Sequence, residues 1–195
     1  MREEIPDGLA LVTAFANTVD VEAGTDELAD VDGLRRWLAA HGHAGPAGEA
    51  ELARVRDFRS ALRDEIAAHH DQLAVHHDRT AVPRDQAADD GAAGARVRLN
   101  AYAHDVPVRI ALDRAGLRLE AAGADGVASL FGALLVEMLL AERDGVWRRL
   151  KICDAETCRE AFYDWSKNSS RRWCSMGVCG NRSKTRAYRE RRRES

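Results

Sequence analysis

All four cysteines of this 195-residue chain crowd into one short stretch near its end, as Cys153-x4-Cys158-x15-Cys174-x4-Cys179. Two close pairs joined by a short loop are what a closed tetrahedral zinc site asks for. Each pair spans one edge from a tight turn, and the loop returns to bring the second pair to the first. The segment between the pairs fits that demand. Ala161-Phe162-Tyr163-Asp164 reads as a strand, Ser166 to Ser170 as a polar turn, and Arg171-Arg172-Trp173-Cys174 as a returning strand, with Gly177 and Gly180 easing the backbone beside Cys179. A module of residues 148–195 cannot bury enough surface alone, so one bound Zn²⁺ would supply its folding free energy. Phe162, Tyr163, Trp165 and Trp173 would form a small core around it. Four thiolates leave no open coordination position, which makes the ion structural rather than catalytic. Paired disulfides or a thiol redox switch are the alternative.

The compartment bears on that choice. The opening MREEIPDGLA has acids where an export signal carries cations before an apolar run. The most apolar stretch, Val127 to Leu140, contains Ser129 and Glu137 and is shorter than the ~20 residues that span a bilayer. These features lead us to expect a cytoplasmic protein with no membrane association, where thiols stay reduced and metal is favoured over disulfide.

Charge is divided as sharply as cysteine. Residues 1–147 hold 15 Lys and Arg against 26 Asp and Glu, whereas residues 148–195 hold 14 against 6, which together make the net −3 of the whole chain. Four thiolates and one Zn²⁺ would take two charges from the second balance and still leave it strongly basic. An anionic partner is therefore expected at that end. Beyond Cys179 the chain reads GNRSKTRAYRERRRES. On a helix, Arg182, Arg186, Arg189 and Arg193 fall four, three and four residues apart and form one cationic stripe, widened by Lys184, Arg191 and Arg192. Such a stripe suits a phosphate backbone or the guanine edge of a major groove. Arg171 and Arg172 could add phosphate contacts, and Asn181 reads as either a base contact or a helix N-cap. A solvated, frayed tail is the plainer reading of the same run.

The first 147 residues read as an α+β domain, mainly helical, with a small antiparallel hairpin. A short apolar helix over 8–17 is followed by an acidic connection from Asp20 to Asp30. Asp30 caps a helix carrying Val31, Leu34, Trp37 and Leu38 that ends at Gly42. After the Gly45–Gly48 breaker, Leu52, Val55, Phe58 or Arg59, Leu62, Ile66 and Leu73 predict a long amphipathic helix over 48–73. The stretch from Val75 to Gly94 reads as a loop with at most one helical turn, and Val97 to Tyr102 as a weak strand. Alternation at Val106, Val108, Ile110 and Leu112, then Leu117, Leu119 and Ala121, predicts a hairpin turning at Asp113–Gly116. A helix from Ala124 to Arg143, greasy on most sides, should be the central buried one. His69, His70, His76 and His77 have no carboxylate or cysteine at ligand spacing and read as solvated or helix-end residues. His41 and His43 flank a helix end whose dipole suits a partly cationic ring. No nucleophile–base set, phosphate loop or zinc-protease motif occurs, so an enzyme is not expected.

Arg171-Arg172-Trp173-Cys174-Ser175-Met176, followed by Cys179-Gly180-Asn181-Arg182 and a basic helix, resembles the CGNR zinc-finger family. The likeness spans about residues 148–193. In that family a C-terminal four-cysteine finger follows an N-terminal ABATE domain, and its members are regarded as stress-induced bacterial transcription regulators. Leu9-Ala10-Leu11 with Asn17-Thr18, the Leu34–Trp37–Leu38 helix and the hairpin-plus-helix before the finger are similar to the ABATE part. The resemblance implies zinc on Cys153, Cys158, Cys174 and Cys179, and double-stranded DNA as the partner of the basic finger. The expectation is a zinc-dependent DNA-binding transcription regulator, monomeric or homodimeric, whose residues 1–147 receive a small-molecule effector or a protein partner. The opposite charges of the two parts lead us to expect that the acidic first part restrains the basic finger in cis. An RNA-binding zinc module, with Tyr163, Trp165 and Tyr188 stacking on bases, and a zinc-finger interaction adaptor are the other readings.

Overall fold

The computed structural model describes residues 5–77, 86–106, 108–114, 116–122 and 126–193. Six helices and three two-stranded antiparallel sheets are found among them. In chain order they are α1 (Ala10–Ala16), β1 (Val19–Asp20), β2 (Thr25–Asp26), α2 (Val31–Ala40), α3 (Glu49–His77), α4 (Gln86–Asp105), β3 (Val108–Asp113), β4 (Gly116–Ala121), α5 (Val127–Arg143), β5 (Leu150–Ile152), β6 (Ala161–Tyr163) and α6 (Asn181–Arg193). β1 pairs with β2, β3 with β4, and β5 with β6. The mainly helical α+β expectation holds.

The local signals for α2 act as read. The Asp30 carboxylate accepts the Gly33 N–H at 2.7 Å, satisfying a donor that the first turn leaves unpaired. At the other end Gly42 sits at φ 79°, and the His43 N–H reaches back to the Leu38 carbonyl at 2.8 Å. That bond closes the helix in a Schellman turn. His41 donates from Nδ1 to the Trp37 carbonyl at 2.8 Å and stacks on the Trp37 ring. His43 departs from expectation. Burial first, and the neighbouring His41 second, hold its pKa below the ordinary value, so the ring favours its neutral form beside Ser129.

The core is assembled around α3. Val55, Phe58, Leu62 and Ile66 are fully buried on it, and Phe58 meets Phe15 of α1, Tyr102 of α4 and Phe131 of α5 through ring contacts. Both candidates for the ambiguous position on α3 prove to be inside. Phe58 fills the core, while Arg59 is buried against the acidic connection and forks onto Asp26 at 2.6 and 2.7 Å. That connection is thereby folded into the β1–β2 ribbon rather than left as a simple link.

Two expectations are corrected by α4. The part of the Val75–Gly94 stretch from Gln86 onward is helical, not a loop, and residues 97–102 continue the helix instead of forming a strand. Residues 78–85 of that stretch lie outside the described residues. The alternation that suggested a strand came from Val97 and Leu99, but Val97 faces solvent and only Leu99 is buried. Ala95, Leu99, Tyr102 and Val106 follow helical spacing toward the core. Ion pairs across to α3, Arg96 with Glu65 and Arg98 with Asp57 and Asp64, fasten the two helices. Tertiary packing outweighs two glycines and a weak period.

α5 is the buried helix expected, with Leu130, Phe131 and Leu134 fully enclosed. Its Glu137 accepts the Val12 N–H at 3.1 Å, serving one of the open donors at the start of α1. Gly132 is where α5 meets the β3–β4 hairpin: a Cβ there would lie 2.5 Å from the Ala121 Cβ and 3.1 Å from Val106. Gly132→Ala is therefore expected to destabilise the fold by ~1–3 kcal/mol through overpacking, read from the midpoint of urea unfolding. A midpoint at or above the wild-type value would contradict the close approach.

Candidate metal centre and basic helix

The chain enters the C-terminal module directly from α5, through the short 3-10 turn Trp147–Arg149 and into β5. Sequence reading missed β5. It pairs Leu150 with Tyr163, Lys151 with Phe162, and Ile152 with Ala161. Leu150, Ile152, Ala161 and Tyr163 all belong to the same buried core as the helices. The His69 Nδ1 on α3 donates to the Leu150 carbonyl at 2.8 Å, so this histidine is buried rather than solvated. The side chains of His70, His76 and His77 lie outside the described residues. Asn17 clamps Ala161 from both sides, accepting its N–H at 2.7 Å and donating to its carbonyl at 2.9 Å.

Between the two strands the chain forms the first knuckle. The Cys153 N–H bonds the Glu160 carbonyl and the Cys158 N–H bonds that of Ala155, both at 2.8 Å. Arg159 takes a positive φ of 57°, which reverses the chain into β6. Its carbonyl accepts from Arg63 of α3 at 2.6 Å.

The second pair arrives differently from the expected returning strand. Residues 171–174 form no strand; β6 has already spent its ladder on β5. Instead the Asp154 N–H takes the Arg172 carbonyl at 2.9 Å, and a buried ammonium gathers the loop. Lys151, only 2% exposed, bonds the wholly buried Asp164 at 2.8 Å, the Arg171 carbonyl at 3.2 Å and the Ser169 carbonyl. Asp164 in turn accepts the N–H groups of Ser166 at 2.9 Å and Arg171 at 2.8 Å. Burial pushes its carboxyl pKa up, but the bonds from Lys151, Ser166 and Arg171 outweigh this and hold it below the usual value. Cys179 then sits on a π-helical turn, Met176–Gly180. Its last glycine lies against Met176 and Trp173, where a Cβ would come within 2.5 Å of the Met176 sulfur.

The four Sγ atoms all lie within 4.8 Å of one another. Cys158–Cys174 and Cys174–Cys179 are each 3.7 Å apart. A tetrahedron with metal–sulfur bonds of ~2.3 Å has edges of ~3.8 Å. The donor set thus fits a single Zn²⁺, and all four cysteines are free of disulfides. The crowding of the sulfurs shows in their proton affinities. Cys153 is drawn down to about 5, chiefly by the hydrogen bond from Cys174 and against desolvation. Cys174 is pushed up by giving that bond, and burial first pushes Cys158 up to about 11. Four sulfurs this close share protons unless a cation offsets their charge. Phe162 is buried against them and Trp173 packs at the edge. Tyr163 belongs to the main core and Trp165 lies partly exposed against Tyr163, so the expected aromatic core shrinks to two rings.

Residues 9–145 match the ABATE family, described as a putative stress-induced transcription regulator, and residues 149–192 match the CGNR zinc finger. The chain belongs to the ABATE family. No curated protein matches it in sequence. Among the described residues no helix is long and apolar enough to cross a membrane.

The basic residues of this ABATE chain fall into two groups. Arg171 is engaged within the finger: its guanidinium donates to the Cys174 carbonyl at 2.6 Å and lies over the Phe162 ring. Arg172 is half-exposed, stacks on Trp173 and pairs with Asp154 at 2.5 Å. On α6, Lys184 and Arg189 are exposed. Arg182 and Arg186 face the body of the protein, Arg182 bonding Glu22 at 2.9 Å and Thr157 at 3.3 Å, and Arg186 bonding Glu156 at 2.8 Å. Asn181 does not cap α6, which continues from the π turn; it donates to the Gly177 carbonyl at 3.1 Å. The side chain of Arg193 lies outside the described residues.

Two outcomes follow from this architecture. Asp164→Ala leaves the Lys151 ammonium buried without its carboxylate and should cost about 3–5 kcal/mol of stability, measured by urea unfolding of the zinc-loaded chain. Because β5 and β6 lie in the main core, zinc removal by chelator at neutral pH should lower the melting temperature of the entire chain in one transition, by roughly 10 °C or more. Zinc affinity should fall as pH drops, since each sulfur must shed its proton to bind. Separate melting of the finger, with the helical part unchanged, would contradict the shared core.

Proposed function

We propose that this chain is a zinc-dependent, DNA-binding transcription regulator and not an enzyme, in which zinc fixes the finger and the arginines of α6 meet the phosphates of duplex DNA. The observation that carries the reading is the junction at Cys179–Asn181. The fourth metal ligand is followed at once by the basic helix, so the metal sets where the helix begins. Arg182, Lys184, Arg186 and Arg189 are the proposed contacts, with Arg172 at the flank and Arg193 and Asn181 as further candidates. Arg171 supports the finger from within. Residues 1–147 are proposed to receive the signal, from a small ligand or a protein partner.

The acidic groups that touch this helix bear on how strongly it binds. Glu22 comes from the β1–β2 ribbon and Glu156 from the first cysteine knuckle; a polyanion must displace both to reach Arg182 and Arg186. Exposed pairs of this kind are worth only ~0.2–1 kcal/mol each. The restraint they impose is mild. Removing residues 1–145 would strip β5 and β6 of the core they share, so the restraint is better probed in the full chain.

DNA affinity measured across a salt series tests the proposal. Binding should weaken linearly in log–log terms as salt rises, and Arg182→Ala with Arg186→Ala should reduce the slope by about two while leaving zinc content unchanged. Glu22→Gln with Glu156→Gln should tighten binding a few-fold. Affinity unaffected by either pair, or indifferent to salt, would overturn the assignment and favour a protein-interaction adaptor. The exposed rings of Trp165 and Tyr188, 43% and 54% accessible, support a second reading as an RNA-binding module. Competition between structured RNA and duplex DNA at fixed salt separates the two.

A further inference from the structure

The β3–β4 hairpin stands out from the body with an uncovered apolar face. Its register pairs Val108 with Ala121, Ile110 with Leu119 and Leu112 with Leu117, which sets Val108, Ile110, Leu112, Leu119 and Ala121 on one face. α5 covers only the base, where Ala121 meets Gly132. Exposure climbs toward the tip, from 44% at Val108 to 72% at Ile110 and 76% at Leu112. The charges of the strands keep to the other face, where Arg109 and Arg118 both bond Glu120. Among the described residues no third strand joins β3. A two-stranded ribbon is marginal in water, and a bare apolar edge invites another strand.

The sequence of β3 identifies which strand. Read from Arg109 to Asp113 it runs cation, apolar, small, apolar, anion: Arg-Ile-Ala-Leu-Asp. An antiparallel copy of such a strand complements itself. We propose that β3 pairs with β3 of a second copy of this chain about a two-fold axis through Ala111, joining two hairpins into one four-stranded sheet.

In that register Arg109 stands opposite Asp113 of the second copy, Ile110 opposite Leu112, and Ala111 opposite itself, each pair occurring twice by symmetry. Opposite charges and apolar pairs directly across a ladder both stabilise it. Sliding the register until Arg109 meets Arg109 would set like charges face to face, so the charge pattern selects one alignment. The hydrogen-bonding parity agrees. The closing pair of a two-residue hairpin, here Asp113 with Gly116, exchanges backbone bonds, and alternation from there turns the backbone groups of Ala111 and Arg109 toward β4. Those of Ile110 and Leu112 then face outward, available to the second copy. The two-fold axis runs perpendicular to the sheet, so both copies of α5 lie on its apolar face. Each exposed tip is thereby carried alongside the covered base of its partner.

The full-length zinc-loaded chain tests this by sedimentation. The wild type should be a dimer. Arg109→Asp sets acids against acids across the axis, and Asp113→Arg sets bases against bases; each alone should weaken self-association roughly tenfold or more. An equimolar mixture of the two variants restores opposite charges and should form a heterodimer about as tight as the wild type. Ala111→Cys should cross-link the dimer on mild oxidation, because residues in a non-hydrogen-bonded pair approach to ~4.5 Å between Cα atoms. A wild-type chain that stays monomeric at its highest soluble concentration overturns the proposal. So do variants that dimerise as well as the wild type, or a mixture that gains nothing while both variants keep the wild-type circular dichroism.

Discussion

One ammonium organises the C-terminal module of the molecule. Lys151 enters from β5, inside the main core, and gathers the far side of the finger through Asp164 and the carbonyls of Ser169 and Arg171. The segment it holds leads within three residues to Cys174. Without that anchor, the second pair of cysteines would depend on the metal alone to find the first. With it, the four sulfurs are brought within reach of one another by hydrogen bonds that do not involve them. The choice of lysine has a reason. Its compact, multi-directional donor serves three acceptors converging on a point, whereas the planar fork of arginine does not.

The finger and the helical body are consequently one structure. β5 and β6 contribute Leu150, Ile152, Ala161 and Tyr163 to the core built on α3; Asn17 and His69 tie these strands to the end of α1 and to α3, and Arg63 ties the knuckle between them to α3. Small metal modules usually lean on their ion for stability. Here much of the apolar burial comes from the neighbouring helices. The division of charge along the sequence is likewise partly healed in space, since Glu22 returns across 160 positions to Arg182.

What could be read from sequence was whatever acts locally. The cysteine spacing is a local chelation pattern, and it placed the metal centre without help. Asp30, Gly42 and the Asp113–Gly116 turn act through one or two backbone bonds to near neighbours, and each stands where expected. The failures arose where distant partners decide. α4 resembles a loop and then a strand because its glycines and weak period say little, and it is packing on the core through Leu99 and Tyr102, with Glu65, Asp57 and Asp64 on α3, that makes the helix the better answer. A returning strand at 171–174 is what the need to bring the second cysteine pair back to the first suggests, but β6 finds its partner in β5. Lys151 carried a faint signal: it is one of only three lysines beside 26 arginines, set between Leu150 and Ile152. Nothing nearby in the sequence names Asp164 as its counterpart.

The short passage from α5 to β5 has a bearing on recognition. A tethered finger searches many orientations and gives up that freedom when it docks. Here the turn at Trp147–Arg149 is itself packed, with Trp147 edge-on to His69, and leaves no slack. The direction of α6 is decided when the chain folds, so most of its orientational entropy is already lost before any partner arrives.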